Sequence, residues 1–90
     1  MDEDPEVSLI ALGLRTGETA RWRRRTNERW STGRVAALEA DGSVRVIDDK
    51  GATLSLPLDL VEVGKTGLRG AAGWEPASAR SARTEQLGLL

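Results

Sequence analysis

The stretch from residue 17 to residue 63 constrains the fold most, because its apolar segments are short and turn residues separate them. Along Thr19 to Arg25, Ala20 and Trp22 alternate with charged residues, which is the pattern of a half-buried β-strand. A second strand is predicted from Trp30 to Leu38, and shorter strands follow around 44–46, 54–56 and 61–63. A helix of ordinary length fits nowhere in this stretch, so we predict five short strands.

Three details of this stretch predict local geometry. Asp41-Gly42, between two apolar strands, predicts a two-residue hairpin with a type I′ turn, which needs positive φ at both central positions. Gly33 predicts a bulge or a close backbone approach in the second strand. Residues 58–60, Leu-Asp-Leu, predict one 3₁₀ turn ahead of the last strand, residues 61–63.

Five short, tightly connected strands cannot bury one face as a flat sheet, so we expect residues 17–63 to curl and close into a small barrel. Residues 1–16 form an acidic N-terminus in which 5–12 predict a short helix, with a strand as the alternative. The glycine-rich residues 64–76 predict a flexible linker. Residues 77–90 predict a C-terminal helix and a tail.

The order of residues in this stretch resembles that of SH3-like barrels of the Tudor and KOW type. The residues that carry the resemblance are Trp30-x-x-Gly33-x-Val35, Asp41-Gly42-x-Val44-x-Val46, Asp48-Asp49-x-Gly51 and Leu56-Pro57-x-Asp59-x-Val61-x-Val63. The resemblance covers about half of the chain. It implies an all-β fold with a five-stranded barrel, to which the flanking residues add the predicted short N-terminal helix and the C-terminal linker plus helix. It leaves the function open, because such barrels serve many binding tasks.

Tudor-type barrels capture methylated lysine or arginine in a cage of aromatic side chains by cation–π contact. Trp30 matches one aromatic position of that pattern. Where the pattern has the aromatic residue of an Asp-aromatic-Gly turn, this chain has Asp49-Lys50-Gly51. The chain also has no Phe or Tyr, so the cage is incomplete and methyl recognition is not predicted.

Composition excludes several classes of function. The chain has neither cysteine nor histidine, so it lacks the usual general base, the usual low-pKa nucleophile and a cysteine zinc site. We therefore predict no catalytic residues, no cofactor, no metal and no small-molecule substrate. No apolar run approaches the roughly 20 residues of a membrane span, and the acidic start is unlike a signal peptide. The prediction is a soluble cytoplasmic protein with no membrane partner.

Charge is strongly segregated along the chain, although the net charge is only -1. Seven arginines lie between Arg15 and Arg34, against Glu18 and Glu28. Because the planar guanidinium binds two phosphate oxygens at once, and a tryptophan can stack a base, the cluster predicts weak, phosphate-mediated contact with DNA or RNA. The predicted interface comprises Arg21, Arg23, Arg24, Arg25, Arg29, Arg34 and Trp30. The alternative is a solvated outer face whose arginines pair with acidic strands, with Trp22 in the core.

Residues 86–90, Gln-Leu-Gly-Leu-Leu, resemble the peptide by which bacterial polymerases and repair factors dock on the sliding clamp, of the form Gln-Leu-Ser/Asp-Leu-Phe. By position, Gln86 would bond at the rim, while Leu87, Leu89 and Leu90 would fill an apolar groove. Gly88 and Leu90 depart from the pattern, and the second departure weakens the main anchor. The alternative is that these leucines cap the barrel or end an amphipathic helix. We call residues 86–90 the docking tail.

Two functional hypotheses follow from these patterns. The first is a non-catalytic adaptor in DNA maintenance, in which the arginines contact phosphate weakly and the docking tail binds the sliding clamp. The second is a Tudor-like protein–protein module whose partner belongs to transcription or translation, such as RNA polymerase or a ribosomal protein. In the second, the arginines meet an acidic protein surface and the tail is purely structural.

Overall fold

The computed structural model describes residues 9–66 and 72–86, without the side chains of residues 66, 85 and 86. Six antiparallel strands form one open sheet in the order β4-β3-β2-β1-β5-β6. A 3₁₀ turn at Leu58–Leu60 precedes β5, and one α-helix, α1, follows β6 and spans Ala77–Gln86. The strands are β1 (Thr19–Trp22), β2 (Ser31–Leu38), β3 (Val44–Asp48), β4 (Thr53–Leu56), β5 (Val61–Thr66) and β6 (Ala72–Pro76). The prediction of a small, mainly β domain is confirmed.

The core lies on one face of this sheet, where every second residue of the central strands is buried. Ala20 and Trp22 of β1 point into it, as the alternation predicted. The same period of two places Val44 and Val46 of β3 fully inside. The other core residues on the strands are Val35, Leu56, Val61 and Val63, and Leu9, Leu14 and Ala77 close the core from outside the sheet.

The N-terminal helix of the prediction is confirmed where it is described, at residues 9–11, and residues 5–8 lie outside the described part. The helix ends at Gly13, whose φ of 78° is open to glycine and strained for other residues. Leu14 N–H donates to the Leu9 carbonyl at 2.9 Å and Gly13 N–H to the Ile10 carbonyl at 2.8 Å, which is a Schellman cap. The cap brings Leu9 and Leu14 together in the core.

The predicted type I′ turn at Asp41-Gly42 is wrong. Gly42 N–H donates to the Glu39 carbonyl at 3.0 Å, and Glu39 N–H donates to the Ser43 carbonyl at 2.8 Å, so the hairpin closes over a three-residue loop, residues 40–42. Gly42 has a φ of 90° and follows the turn rather than lying at its centre. The Asp41 carboxylate holds this geometry by accepting hydrogen bonds from the Ser43 N–H at 3.0 Å and hydroxyl at 2.6 Å.

Gly33 makes the close backbone approach that was predicted. A Cβ atom at this position would lie 2.0 Å from the carbonyl oxygen of Ile47 on β3. The irregularity in pairing between β2 and β3 lies further on, between Val35 and Ala37. The glycine therefore allows close contact, and the register shifts at a different residue.

Three boundaries differ from the sequence prediction. The strand predicted from Thr19 to Arg25 ends at Trp22, and the last predicted strand continues beyond Val63 to Thr66. Ala72–Pro76, predicted to belong to a flexible linker, forms β6 because its backbone pairs with β5 from Glu62 to Thr66. Strand pairing depends on residues distant in sequence, which the local glycine content does not reveal.

Arg80 attaches α1 to the rest of the domain. Its guanidinium forms ion pairs with Glu18 and with Glu75, the latter at 3.1 Å. It also donates to the carbonyl oxygens of Gly13 at 3.4 Å and Gly64 at 2.7 Å. One side chain therefore joins the helix to the N-terminal segment and to β5 and β6. We call Arg80, Glu18, Glu75 and Arg83 the helix clasp, since Arg83 also bonds Glu75, at 2.8 Å.

Candidate nucleic-acid interface

Residues 23–30 connect β1 to β2 and carry most of the predicted arginines; we call them the arginine loop. The loop is held by its own contacts. The Arg23 guanidinium lies 4.1 Å from the centre of the Trp30 ring and donates to the Thr26 carbonyl at 2.9 Å. Glu28 N–H donates to the Arg25 carbonyl at 3.1 Å. These bonds form a tight turn with Arg23 laid across Trp30.

Three side chains of the arginine loop point into solvent: Arg24, Arg25 and Arg29 are all exposed. Their guanidiniums form no ion pair and no hydrogen bond with any residue that the structure describes. The strand β1 ends at Trp22 and β2 begins at Ser31, so these three arginines lie in the loop and not on a paired strand. Each guanidinium keeps its donors free for an external anion.

Arg21, by contrast, is bound within the protein. It lies on the outer face of β1, beside Glu62 of β5, and contacts one oxygen of that carboxylate through two nitrogens, at 2.9 and 2.7 Å. Its guanidinium also lies 3.9 Å from the Trp30 ring centre and 4.8 Å from the Trp74 ring centre. Arg21 therefore matches the alternative hypothesis, in which an arginine pairs with an acidic strand.

Arg34 lies between these two cases. It is exposed on the outer face of β2 and donates to the Gly17 carbonyl at 2.9 Å, an uncharged partner that leaves its positive charge in place. The predicted arginine set is thus divided by the fold. Arg24, Arg25 and Arg29 are available, Arg34 is partly available, and Arg21 and Arg23 are used to build the surface.

The three tryptophans have different environments. Trp22 is in the core, 5% exposed, as the alternative proposed. Trp30 is half-buried, and Arg21 and Arg23 both lie over its ring, so the base-stacking surface predicted there carries two guanidiniums. Trp74 was not predicted at this site. It reaches Arg21 because β6 pairs with β5, which joins residues that no local sequence pattern connects.

A pocket of about 240 Å³ opens beside the arginine loop. One side is formed by the loop and the other by the chain around the 3₁₀ turn, including Asp59, Leu60 and Glu62. Asp59 is exposed, and its carboxylate has no hydrogen-bond or ion-pair partner among the described residues. The loop residues that line the pocket are Arg23, Arg24, Arg25, Thr26 and Trp30. The pocket combines free cations with one free carboxylate.

The other predictions concern residues or partners beyond this surface. Leu87, Leu89 and Leu90 of the docking tail lie outside the described residues, as does the side chain of Gln86, the last residue of α1. Within residues 9–66 and 72–86, no group of three acidic side chains is placed to hold a metal ion. The helical segments described are too short and polar to span a membrane. Clamp docking stays a prediction from sequence.

Comparisons with known proteins add no relative to this description. No protein-family model, no curated protein and no solved structure matches the chain.

Proposed function

We propose that this chain is a non-catalytic binding module that contacts the phosphates of DNA or RNA through the arginine loop. The observation that supports this most is the division among the arginines. The guanidiniums of the strands and of α1 donate to partners within the domain, whereas those of Arg24, Arg25 and Arg29 have no partner among the described residues. Exposed guanidiniums close together in one short turn suit a phosphate backbone, where charges recur along the strand.

We also propose that the sheet forms an SH3-like barrel of the Tudor and KOW type. In its support, β1 pairs with both β2 and β5, so the five strands of the expected barrel form one continuous ladder. The 3₁₀ turn falls between β4 and β5, as residues 58–60 predicted. Strand β6 then extends the ladder by one strand beyond the five of that pattern.

The contact is expected to be weak. The net charge is -1, and Asp59 and Glu62 lie in the pocket beside the loop, so long-range attraction to nucleic acid is small. Three phosphate contacts to a single strand predict a slope of about −2 for log affinity against log salt concentration. A second contact would raise the overall affinity by making the binding bivalent. The docking tail, if it binds the sliding clamp as its sequence resemblance implies, supplies such a contact.

The test is fluorescence anisotropy of labelled DNA and RNA oligonucleotides at several salt concentrations, with Arg24→Glu/Arg25→Glu against the natural chain. The matched control is Arg15→Glu/Lys65→Glu, which makes the same change in charge at two exposed residues outside the loop. We expect about tenfold weaker binding for the loop variant and a much smaller loss for the control. Equal losses of affinity in the two variants would show that binding depends on net charge alone and would contradict a binding site at the arginine loop.

The alternative is a Tudor-like module that binds a transcription or translation component through the same arginines. The loop variant separates the two. If no oligonucleotide binds the natural chain with a salt-dependent affinity, the phosphate contact is wrong. Loss of a protein partner in the loop variant, with nucleic-acid binding unchanged, would favour the protein–protein module.

A further inference from the structure

We infer that the pocket beside the arginine loop takes an unpaired guanine base of a single-stranded nucleic acid. This inference rests on the proposed function and names the form of nucleic acid that the site selects. It follows from three features of the pocket: its size and position, the flat surface formed by Arg23, and the free carboxylate of Asp59.

The size of the pocket suits one base. Its volume of about 240 Å³ is below the roughly 300 to 1,000 Å³ of sites for drug-sized ligands, so it accommodates a single heterocycle rather than a larger group. Arg24 and Arg25 line the pocket and are exposed. A base in the pocket would therefore leave its own phosphates beside these two guanidiniums, which joins the pocket to the proposed phosphate contact.

Arg23 provides a stacking surface inside the pocket. Its guanidinium lies 4.1 Å from the centre of the Trp30 ring and is held there by the bond to the Thr26 carbonyl. Bases stack on guanidinium planes as they do on aromatic rings, and a fixed plane loses less entropy on binding than a mobile one. A base over Arg23 would extend the stack that Trp30 and Arg23 already form.

Asp59 selects the base by its hydrogen bonds. An ionised carboxylate only accepts, through two oxygens side by side. Among the common bases, only guanine presents two neighbouring donors, N1–H and the N2 amino group, on its Watson–Crick edge. Glu62 also lines the pocket, but Arg21 already contacts its carboxylate at 2.7 Å. Asp59 is the lining carboxylate that keeps both oxygens free for two donors, since no described residue bonds it.

The same chemistry selects single strands. In a duplex, the Watson–Crick edge of guanine is paired with cytosine and cannot reach Asp59. Adenine and cytosine would place an acceptor nitrogen next to the carboxylate, and thymine or uracil would offer one donor between two acceptors. A two-bond match of this kind discriminates between bases by about tenfold.

The experiment measures binding of the whole chain to labelled thymidine strands that carry one central guanine, adenine or inosine, and to the duplex of the guanine strand. Inosine keeps N1–H and lacks the amino group, so it tests one of the two bonds. We expect affinity to be about tenfold higher for guanine than for adenine, intermediate for inosine, and lower for the duplex.

Asp59→Asn removes the double acceptor at an exposed residue and should abolish the preference for guanine while leaving binding to the adenine strand at least as tight. The matched control is Asp49→Asn, which makes the same change in charge at an exposed residue outside the arginine loop and the pocket lining and should keep the preference. Equal binding of all strands and the duplex, or a guanine preference that survives Asp59→Asn, would overturn the inference and leave the proposed phosphate contact standing. Absence of binding to any oligonucleotide would instead overturn the proposed function, and the inference with it.

Discussion

At Gly33 the second strand passes so close to β3 that a Cβ atom built on the glycine would lie 2.0 Å from the Ile47 carbonyl oxygen and 2.8 Å from the Asp48 Cα. Both contacts are with backbone, so no side chain can rotate away to make room. The residue is also buried. A single methyl group would therefore have to separate two paired strands in the middle of the sheet.

We expect Gly33→Ala to lower the free energy of unfolding by about 3 kcal/mol, at the upper end of typical overpacking costs. Gly64→Ala is the control, because a Cβ atom at Gly64 would meet nothing within 4 Å and the change should stay within about 0.5 kcal/mol. Urea unfolding of both variants measures the difference. A Gly33→Ala variant as stable as the control would contradict the close approach of β2 to β3.

The residues of the candidate site show what a local sequence pattern predicts correctly and what it misses. Alternation along β1 correctly separated Ala20 and Trp22, which are buried, from Arg21, which lies on the outer face. The strand was nevertheless predicted to continue to Arg25, although apolar residues stop alternating with charged ones after Trp22, where three consecutive arginines follow. Whether Arg24 pairs with a strand or faces solvent depends on a neighbour elsewhere in the chain.

At the scale of elements, the helix clasp holds α1 on the sheet through a nearly buried carboxylate. Glu75 is 5% exposed and accepts hydrogen bonds from Arg80 and Arg83, whose side chains are 15% and 55% exposed. Removal of a buried partner leaves an uncompensated charge behind, whereas removal of an exposed one leaves water to replace it. The two arginines are therefore a matched pair for testing what the clasp contributes.

We expect Arg80→Met to lower the free energy of unfolding by about 3 kcal/mol, because both Glu18 and Glu75 lose a partner. Arg83→Met removes a more exposed guanidinium from the same carboxylate and should cost less than about 1 kcal/mol. Chemical denaturation followed by tryptophan fluorescence compares them. If both substitutions cost the same, Arg80 contributes no more than an ordinary surface ion pair.

The clasp also predicts a dependence of stability on pH. Burial alone would raise the pKa of Glu75, but hydrogen bonds from Arg83 and Arg80 and their positive charges outweigh it and hold that pKa below its ordinary value of 4.5. The folded state therefore binds this proton less readily than the unfolded state. The stability contributed by the ionised carboxylate is fully present above pH 4.5 and is lost as pH falls through the lowered folded pKa.

We therefore expect Glu75→Gln to be less stable than the natural chain at pH 7 and the gap to narrow at pH 3. The Ser43 hydroxyl and N–H lower the pKa of Asp41 too, but Asp41 is present in both proteins and its contribution cancels in the comparison. Urea unfolding at the two pH values measures the gap. A gap of constant size would show that Glu75 stabilises the domain by packing rather than by its charge.

At the scale of the whole molecule, the two proposed contacts, one at the arginine loop and one at the docking tail, belong to the same chain. The arginine loop lies between β1 and β2, and the docking tail begins at Gln86, where α1 ends. Because the helix clasp attaches α1 to the sheet, both proposed contacts belong to one body up to the end of that helix. An assembly that carries both nucleic acid and clamp would then be bound more tightly than either partner alone, because the second contact forms within the complex.

We expect titration with a bacterial sliding clamp to show binding that Leu89→Ala/Leu90→Ala abolishes. Leu90→Phe restores the aromatic anchor of the peptide pattern and should tighten binding by about tenfold, since a larger apolar side chain fills the groove. Calorimetry or anisotropy with the whole chain measures both variants. If the natural chain does not bind and Leu90→Phe does not restore binding, the resemblance of the tail is accidental.

Much of the fold was predictable from the sequence, and less of the site. The inward residues of β1 and β3 and the 3₁₀ turn were predicted because each depends on neighbours a few residues away. The close approach at Gly33 was predicted because a glycine inside a strand often marks such a site. Strand β6 and the type of turn at Asp41-Gly42 were missed. Strand β6 forms because its backbone pairs with β5. The turn differs because Asp41 accepts hydrogen bonds from Ser43, which stabilise a three-residue loop.

Local sequence was enough to place the apolar side chains on one face of a sheet, because alternation along a strand puts neighbours on opposite sides whatever the strand pairs with. Only the folded chain decides which arginines are free. Arg21 is neutralised by Glu62 and Arg80 by Glu18, and each pair joins residues far apart in the sequence. A count of charges along the chain treats all of these arginines alike, whereas three-dimensional pairing leaves the positive charge of the arginine loop facing solvent.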